Sequence, residues 1–284
     1  MRKIKKIITS QTTIEGAGVK LQRVFGPSEI PLFDPFLLLD HFGSSNPADY
    51  VRGFPWHPHR GIETVTYLLH GEVEHGDSIG NKGVIKSGDV QWMTAGSGII
   101  HQEMPKIYKG EMQGFQLWIN LPKKKKMCHP RYRGLTKKDL KLFENHSAKV
   151  KIIAGKFGNK QGPVKDLSVD VEYFDVKLTG TFKHDTKKKT VFLYVIEGSL
   201  TIANETITDH HCVLLSDKGE VVITADKARF LLIAGNPLNE PIAWGGPIVM
   251  NTQKELKEAF RELENDEFIK HTKPVDVHED YYTD

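Results

Sequence analysis

From residue 17 to about residue 120 the apolar positions come in short runs rather than in long helical stripes. Val, Ile, Thr, Tyr and Phe fill the runs, and Gly, Pro, Asn and Asp separate them, a pattern of many short strands. Residues 63–69 (ETVTYLL), 83–85 (GVI), 90–94 (VQWMT) and 114–120 (GFQLWIN) are predicted strands, with Gly71, Asn81 and Gly88 at the turns between them. A succession of this kind predicts a sandwich or a barrel. The pattern breaks after Leu121 and Pro122, where four lysines (123–126) lead towards Thr136-Lys137-Lys138-Asp139. That tetrad resembles a capping box, and with Leu140, Leu142 and Phe143 behind it predicts a short linking helix.

The second half repeats the first in outline. TVFLYVIEGSLTIANE, from Thr190, has the β-rich run, the glycine and the alternation of TVTYLLHGEVEHGDS, from Thr64. Two related all-β barrel domains are therefore expected, residues 1–135 and residues 136–284. Near the end Thr252 and Glu255 form a T-x-x-E box, followed by Leu256, Ala259, Phe260 and Leu263 on one helical face, so a helix packed on a barrel is predicted there. The tail from Asn265, which includes Tyr281 and Tyr282, has no period, and the pattern leaves its order open.

The chain has 284 residues, more than the about 100–200 usual for one domain, which agrees with two units. Its 39% hydrophobic and 26% charged content is that of a water-soluble globular protein and excludes a disordered or fibrous class. A net charge of only +3, from 39 basic and 36 acidic residues, argues against a dedicated nucleic-acid binder. The opening MRKIKKIITS is basic but is followed by no apolar stretch long enough for a signal peptide or membrane helix, so a cytoplasmic location and no membrane partner are expected. Cys128 and Cys212, the only cysteines, stand far apart; they suit a reducing compartment, and neither is taken as a ligand.

Candidate chemistry rests on two short motifs, His57-Pro58-His59 and His101-Gln102-Glu103. In a strand, residues two apart share a face, so His57 and His59 point together while Pro58 points away, and the same holds for His101 and Glu103. Two such pairs on neighbouring strands place three imidazoles and a carboxylate around one point, a set suited to a divalent transition metal with coordination positions left open. With no cysteine pair nearby, closed thiolate zinc is disfavoured; iron(II) fits best, and manganese, nickel, copper, cobalt or zinc also fit.

The text around these motifs, FPWHPHRGIETVTYLLHGEVEHGDSIGNKGVIKSGDVQWMTAGSGIIHQEMP, resembles the pirin family of the cupin superfamily. The resemblance runs on through QLWINLP and PRYRGL to GGPIVMNTQKEL, covering nearly the whole chain and weakening between about residues 140 and 190 and in the tail. It implies two cupin-type barrels (double-stranded β-helix, or jelly roll) packed face to face with a few short helices. It also implies His57, His59, His101 and Glu103 as the metal ligands. Trp56 departs from the proline frequent before HPH in that family, and is the best candidate for shaping the pocket entrance. Several pirins resemble quercetin 2,3-dioxygenase in activity, which implies a flavonol and O2 as substrates, with Glu103 as the base that takes the flavonol 3-hydroxyl proton. The family also holds proteins that act by binding partners, which implies, as the alternative, an iron-binding redox sensor acting through a protein partner.

Other residues receive plainer readings. Aligning Gly71 with Gly198 sets His184 opposite His57 but Thr186, Ala228 and Phe230 opposite His59, His101 and Glu103, so the second barrel is expected to carry no metal site. Glu63, four residues past His59, is read as structural. Asp40 and His41 are possible supports of a ligand imidazole or simply buried structure. Phe54, Trp92, Met93 and Met104 flank the ligands and are read as pocket wall or core. His70, His75, His129, His210 and His211 are given no function. Gly96, Ser97 and Gly98 read as a turn aiming His101, and lysines 123–126 with Arg131 and Arg133 as a solvated face.

Overall fold

The computed structural model describes residues 1–273. Tyr281 and Tyr282 of the tail lie outside the described residues.

Alternation along the strand Ile62–His70 organises the first barrel. Val65, Tyr67 and Leu69 leave one face of it and Thr64, Thr66 and Leu68 the other, as a period of two requires. This strand sits within a seven-stranded sheet whose spatial order is Arg131–Leu135, Val90–Thr94, Ile62–His70, Met112–Asn120, Phe36–Ser44, Val19–Phe25 and Gln11–Glu15. A four-stranded sheet covers its inner face, in the order Phe54–His59, Ile99–Pro105, Glu72–Asp77 and Lys82–Lys86. The predicted strands at 63–69, 83–85, 90–94 and 114–120 all fall within these elements.

The second barrel is one curved eight-stranded sheet. Its long strands Val171–His184, Thr190–Ile202 and Val221–Gly235 close around Val150, Phe174, Leu193, Ile223 and Phe230. Phe230, expected opposite Glu103, fills this interior.

A third apolar cluster joins the barrels face to face. Phe25, Phe33, Leu39, Tyr67, Trp92 and Phe115 of the first meet Ile153, Tyr173, Phe192, Leu231 and Ile233 of the second. Phe25 and Phe33 stack at 4.0 Å, and Phe192 presents its edge to both, at 5.2 and 5.4 Å. These offset and edge-on geometries suit aromatic quadrupoles.

Sheet pairing crosses between the halves at both ends of the chain. The strand Ile4–Thr9 pairs with His211–Leu215 in the second sheet, and the buried Arg2 guanidinium donates to the carbonyls of Thr186, Lys188, Ser216 and Gly219. The strands Ala243–Gly245 and Ile248–Met250 and the helix Gln253–Glu264 lie instead against the first barrel. Val249 donates its N–H to the Arg60 carbonyl at 3.0 Å. A side chain on Gly61, whose φ is +77°, would stand 2.0 Å from the Val249 carbonyl oxygen, so only glycine admits this approach.

The helix begins as its sequence predicts, with Thr252 Oγ1 accepting from Glu255 N–H at 3.2 Å and the Glu255 carboxylate accepting from Thr252 N–H at 2.8 Å. Leu256 and Ala259 are buried by it. Past it, Phe268 is buried, its ring 4.2 Å from the Arg60 guanidinium and its carbonyl accepting from Arg60 at 2.9 Å, so the tail is ordered at least this far. Among the described residues, no helix is long and apolar enough to cross a membrane.

Two expectations are corrected. The predicted linking helix is absent: Asp139 accepts from both the backbone and the hydroxyl of Thr136 in a closed turn, and Lys141–Glu144 is an edge strand paired with Ala148–Ala154. Leu142 and Phe143 look like a helical stripe only because the edge strand is too short to show its own period. The lysine run is not wholly solvated either: Lys126 is buried, donating to the carbonyls of Gly61 and Val249 at 2.8 and 2.7 Å and to Asn120.

Candidate metal centre

The strand Phe54–His59 pairs antiparallel with Ile99–Pro105, and His57 stands directly opposite His101. Period-two alternation then brings His57, His59 and His101 together, with ring centroids 4.4 to 5.0 Å apart. Their nearest ligand nitrogens all lie within 4.8 Å of one another, the only such convergence of three or more His, Cys, Asp or Glu side chains among the described residues.

Hydrogen bonding fixes which nitrogens face inward. His57 Nδ1 bonds to the Pro55 carbonyl at 2.8 Å and His59 Nδ1 to the Pro247 carbonyl at 3.1 Å. A carbonyl only accepts, so each Nδ1 carries the hydrogen and each Nε2 keeps its lone pair. The two Nε2 atoms are 3.1 Å apart. Two lone pairs facing each other at that distance repel unless a cation lies between them. His101 Nε2 is buried with no hydrogen-bond partner, which burial makes costly. The three nitrogens therefore fit a shared metal ion, and the backbone carbonyls serve as the outer supports that orient metal-binding imidazoles. Burial lowers the pKa of all three histidines, His59 to about 3, so all are neutral donors at ordinary pH.

Glu103 reaches the same space from one residue pair further along. Its carboxylate is buried, accepting from the Thr66 hydroxyl at 2.9 Å and standing 3.4 Å from Gln116 Nε2. Burial raises its pKa to about 7 against the opposing Thr66 hydrogen bond. Its oxygens are not part of the close nitrogen cluster.

His57, His59 and Glu103 line a cavity of about 710 Å³ between the two sheets of the first barrel, with His101 buried behind them. Its walls include Phe54, Trp118 and Trp244, and Trp118 sets its ring edge-on to His59 at 5.0 Å and lies 5.9 Å from Trp244. Trp56 also lines it, at the rim, with 55% of its surface exposed. Across the floor runs a row of directly paired polar residues, Arg23, Asp40, Gln116 and Thr66, one from each of four adjacent strands, and the row continues to Gln91 on the next strand, outside the lining. The neighbouring row on one side is Leu21, Phe42, Gly114 and Leu68, and on the other Leu38, Trp118, Thr64 and Met93.

Several other sequence readings find their places here. Glu63 points out of the cavity into the layer between the barrels, accepting from Thr94 at 2.7 Å and Trp92 at 3.1 Å. Trp92 and Met93 are fully buried core and form no part of the cavity lining. Asp40 lines the cavity but pairs with Arg23, while His41 turns to Tyr194 of the second barrel at 2.9 Å; neither supports a ligand imidazole. His75 stacks on Tyr132 at 4.7 Å and shares a 2.6 Å hydrogen bond with it. His184 bonds to Glu172 at 2.9 Å inside the second barrel. Gly96, at φ +51°, lets the Cys128 carbonyl approach to 2.2 Å of where a side chain would begin, so the glycine turn serves packing as well as aim. The sequence reading missed Trp118, Trp244, Pro247 and the Arg23–Asp40 pair. Trp118 left a local signal through its place in the alternation of its strand, and Arg23 and Asp40 lie on consecutive paired strands; Trp244 and Pro247 reach the cavity from the far end of the chain.

Comparison with known proteins agrees with this fold. The family model described as pirin matches residues 18–119, and that described as the pirin C-terminal cupin domain matches residues 173–269. A pirin-like protein of Caulobacter vibrioides is 42% identical over 274 residues, covering 94% of this chain and 99% of its own length. The crystal structure of a quercetin 2,3-dioxygenase from Acinetobacter baumannii superposes with a TM-score of 0.87 at 33% identity, covering 94% of this chain and 98% of that one. The bacterial pirin YhhW of Escherichia coli, solved in complex with nickel(II), shares the fold with a TM-score of 0.64 at 22% identity, covering 82% of this chain and 99% of that one.

Proposed function

Because this chain belongs to the pirin family, we propose that it is a metal-dependent dioxygenase that opens the central ring of a flavonol such as quercetin with O2 and releases carbon monoxide. His57, His59 and His101 hold the metal and Glu103 completes the set. The observation that carries this reading is the convergence of three neutral imidazole lone pairs in a cavity that also contains a buried carboxylate. Iron(II) is the metal assigned, since mixed nitrogen and oxygen ligation with open positions suits it. When bound, the metal supplies Lewis acidity to the substrate 3-hydroxyl and lowers its pKa.

The chain's own residues do the rest. In the metal-free site burial raises the Glu103 pKa to about 7; a bound cation would lower it again, which leaves the carboxylate ionised and able to accept the proton of a substrate hydroxyl. Thr66 and Gln116 orient its two oxygens, so it meets the substrate hydroxyl in one geometry. Phe54, Trp118 and Trp244 offer flat apolar faces to an aromatic substrate and exclude water from the histidines.

Oxygen uptake measured together with loss of the quercetin absorbance band tests this, on protein reconstituted with iron(II) and with His101→Ala as control. Coupled consumption in the wild type that vanishes in the variant is the expected result. No consumption with one equivalent of metal bound would remove the dioxygenase reading.

A further inference from the structure

The far end of the polar row differs from the rest of the cavity. Arg23 lies against two carboxylates: Nε and Nη2 donate to the two oxygens of Asp40 at 2.9 Å each, and Nη1 stands 2.8 Å from Glu15. All three residues line the same cavity as His57, His59 and Glu103. Asp40 is buried and Glu15 is 40% exposed, so the trio runs from the cavity floor to its mouth.

Register gives the span. Arg23 pairs with Asp40, Asp40 with Gln116 and Gln116 with Thr66, and Thr66 bonds to Glu103. Adjacent strands lie about 4.8 Å apart, so three steps separate Arg23 from Thr66 by about 14 Å. A flat ligand with one oxygenated edge at the histidines and its long axis along this row brings its opposite end to Arg23.

Resting on the dioxygenase reading of the cavity, we propose that Arg23, Asp40 and Glu15 form a specificity site that recognises hydroxyl groups on the aromatic ring farthest from the histidine cluster. Among the described residues lining the cavity, Arg23 is the one Lys or Arg, and two carboxylates outnumber it. Each carboxylate oxygen has two lone-pair sites, and the guanidinium fork fills one on each Asp40 oxygen. What remains is acceptor capacity, which a phenolic O–H satisfies and a bare ring leaves unpaired. A ligand carboxylate meets like charge there and is rejected. The site therefore selects uncharged, hydroxylated pendant rings, an adjacent pair of hydroxyls above all, and acts on binding rather than on the reacting atoms.

The test is quenching of tryptophan fluorescence in metal-loaded full-length protein without oxygen, which reads binding and not turnover. Three flavonols serve as probes, with two adjacent hydroxyls, none, or a carboxylate on the pendant ring. Wild type should bind the dihydroxylated flavonol about tenfold or more tightly than the bare one, and the carboxylated one more weakly than either. The double replacement Arg23→Met with Asp40→Leu removes the buried pair at once and so leaves no buried ion unpaired; Glu15, at an exposed position, loses its partner but stays in contact with water. It should erase the hydroxyl preference while keeping affinity for the bare ring. Glu15→Gln, at an exposed position, should relieve the rejection of the carboxylate by several-fold. Equal affinities in wild type, or a preference that survives the double replacement, overturn the proposal even if quercetin is turned over. A preference that depends on Arg23 and Asp40 without turnover of any flavonol upholds it and overturns the dioxygenase reading. Failure of all three probes to bind overturns both.

Discussion

Tyr67 of the first barrel donates its phenolic hydrogen to Asp175 of the second at 2.6 Å, within the layer where the two barrels meet. Arg229 grips the same carboxylate through Nε and Nη2 at 3.0 and 2.8 Å, and Lys151 reaches the Tyr67 oxygen at 2.8 Å. Burial pushes the Asp175 carboxyl up, yet the Arg229 and Tyr67 hydrogen bonds outweigh it and hold the group below the usual carboxylate range. The pairing across the barrels is thus charge-assisted. Tyr67→Phe should cost about 1.5–3 kcal/mol in urea unfolding of the whole chain. A loss under about 0.5 kcal/mol would mean that the Tyr67–Asp175 bond adds nothing to the joint between the barrels.

Glu103→Gln keeps the size and the acceptor for the Thr66 hydroxyl, turns a second donor towards Gln116, and cannot take a proton. The variant should retain most of its bound metal by elemental analysis while kcat for the flavonol falls by about 10²–10⁴. Full turnover would remove Glu103 from the role of base.

Three imidazole lone pairs aimed at one point are stable only when something fills it, so metal is expected to stabilise the fold. At about one hundred times its Kd the ion adds about 2.7 kcal/mol, and chelation should lower Tm accordingly. In His101→Ala the gap in Tm between loaded and chelated protein should close. A gap of unchanged size would place the ion elsewhere.

Much of the candidate site was legible because strand alternation is a local rule. It put His57 with His59 and His101 with Glu103 on shared faces before any coordinates, and antiparallel pairing supplied the rest. The helix start at Thr252 was equally local. Thr136 misled because a T-x-x-D closes a turn as readily as it opens a helix, and Lys141–Glu144 had a partner strand waiting. Lys126 carried no mark in sequence to separate it from its three neighbours; its burial is set by carbonyls at Gly61 and Val249, far away in the chain. Trp244 and Pro247 were invisible for the same reason, since no pattern within a window shows that the last strands return to the first barrel.

His41 is expected to make the fold acid-sensitive. Burial, with a further push from nearby His210, lowers its pKa to about 3, and its ring is held neutral between Tyr194 and Gln113. An unfolded histidine takes its proton near pH 6.5, so below that the unfolded chain binds a proton that the folded one does not. Stability therefore falls as pH drops from about 6.5 towards 3, by about 1.4 kcal/mol per pH unit for each such group. His59, also lowered to about 3, adds a second proton in metal-free protein. His41→Gln should flatten the pH dependence of the urea midpoint by about one proton's worth between pH 6 and 4.5. An unaltered slope would show that the acid sensitivity arises elsewhere.

The hydrogen bond from His59 to the Pro247 carbonyl spans 188 positions of sequence. On the ribosome, every candidate ligand from His57 to Glu103 emerges while that carbonyl is still untranslated, and Arg2 waits as long for its own partners at Ser216 and Gly219. A chain truncated before Pro247 thus displays the complete HPH and HQE motifs and lacks the clamp that turns His59 inward. Metal retention is therefore expected to report translational completeness: elemental analysis should find the ion in full-length protein and little of it in fragments that end before Pro247, although these carry all four candidate ligands.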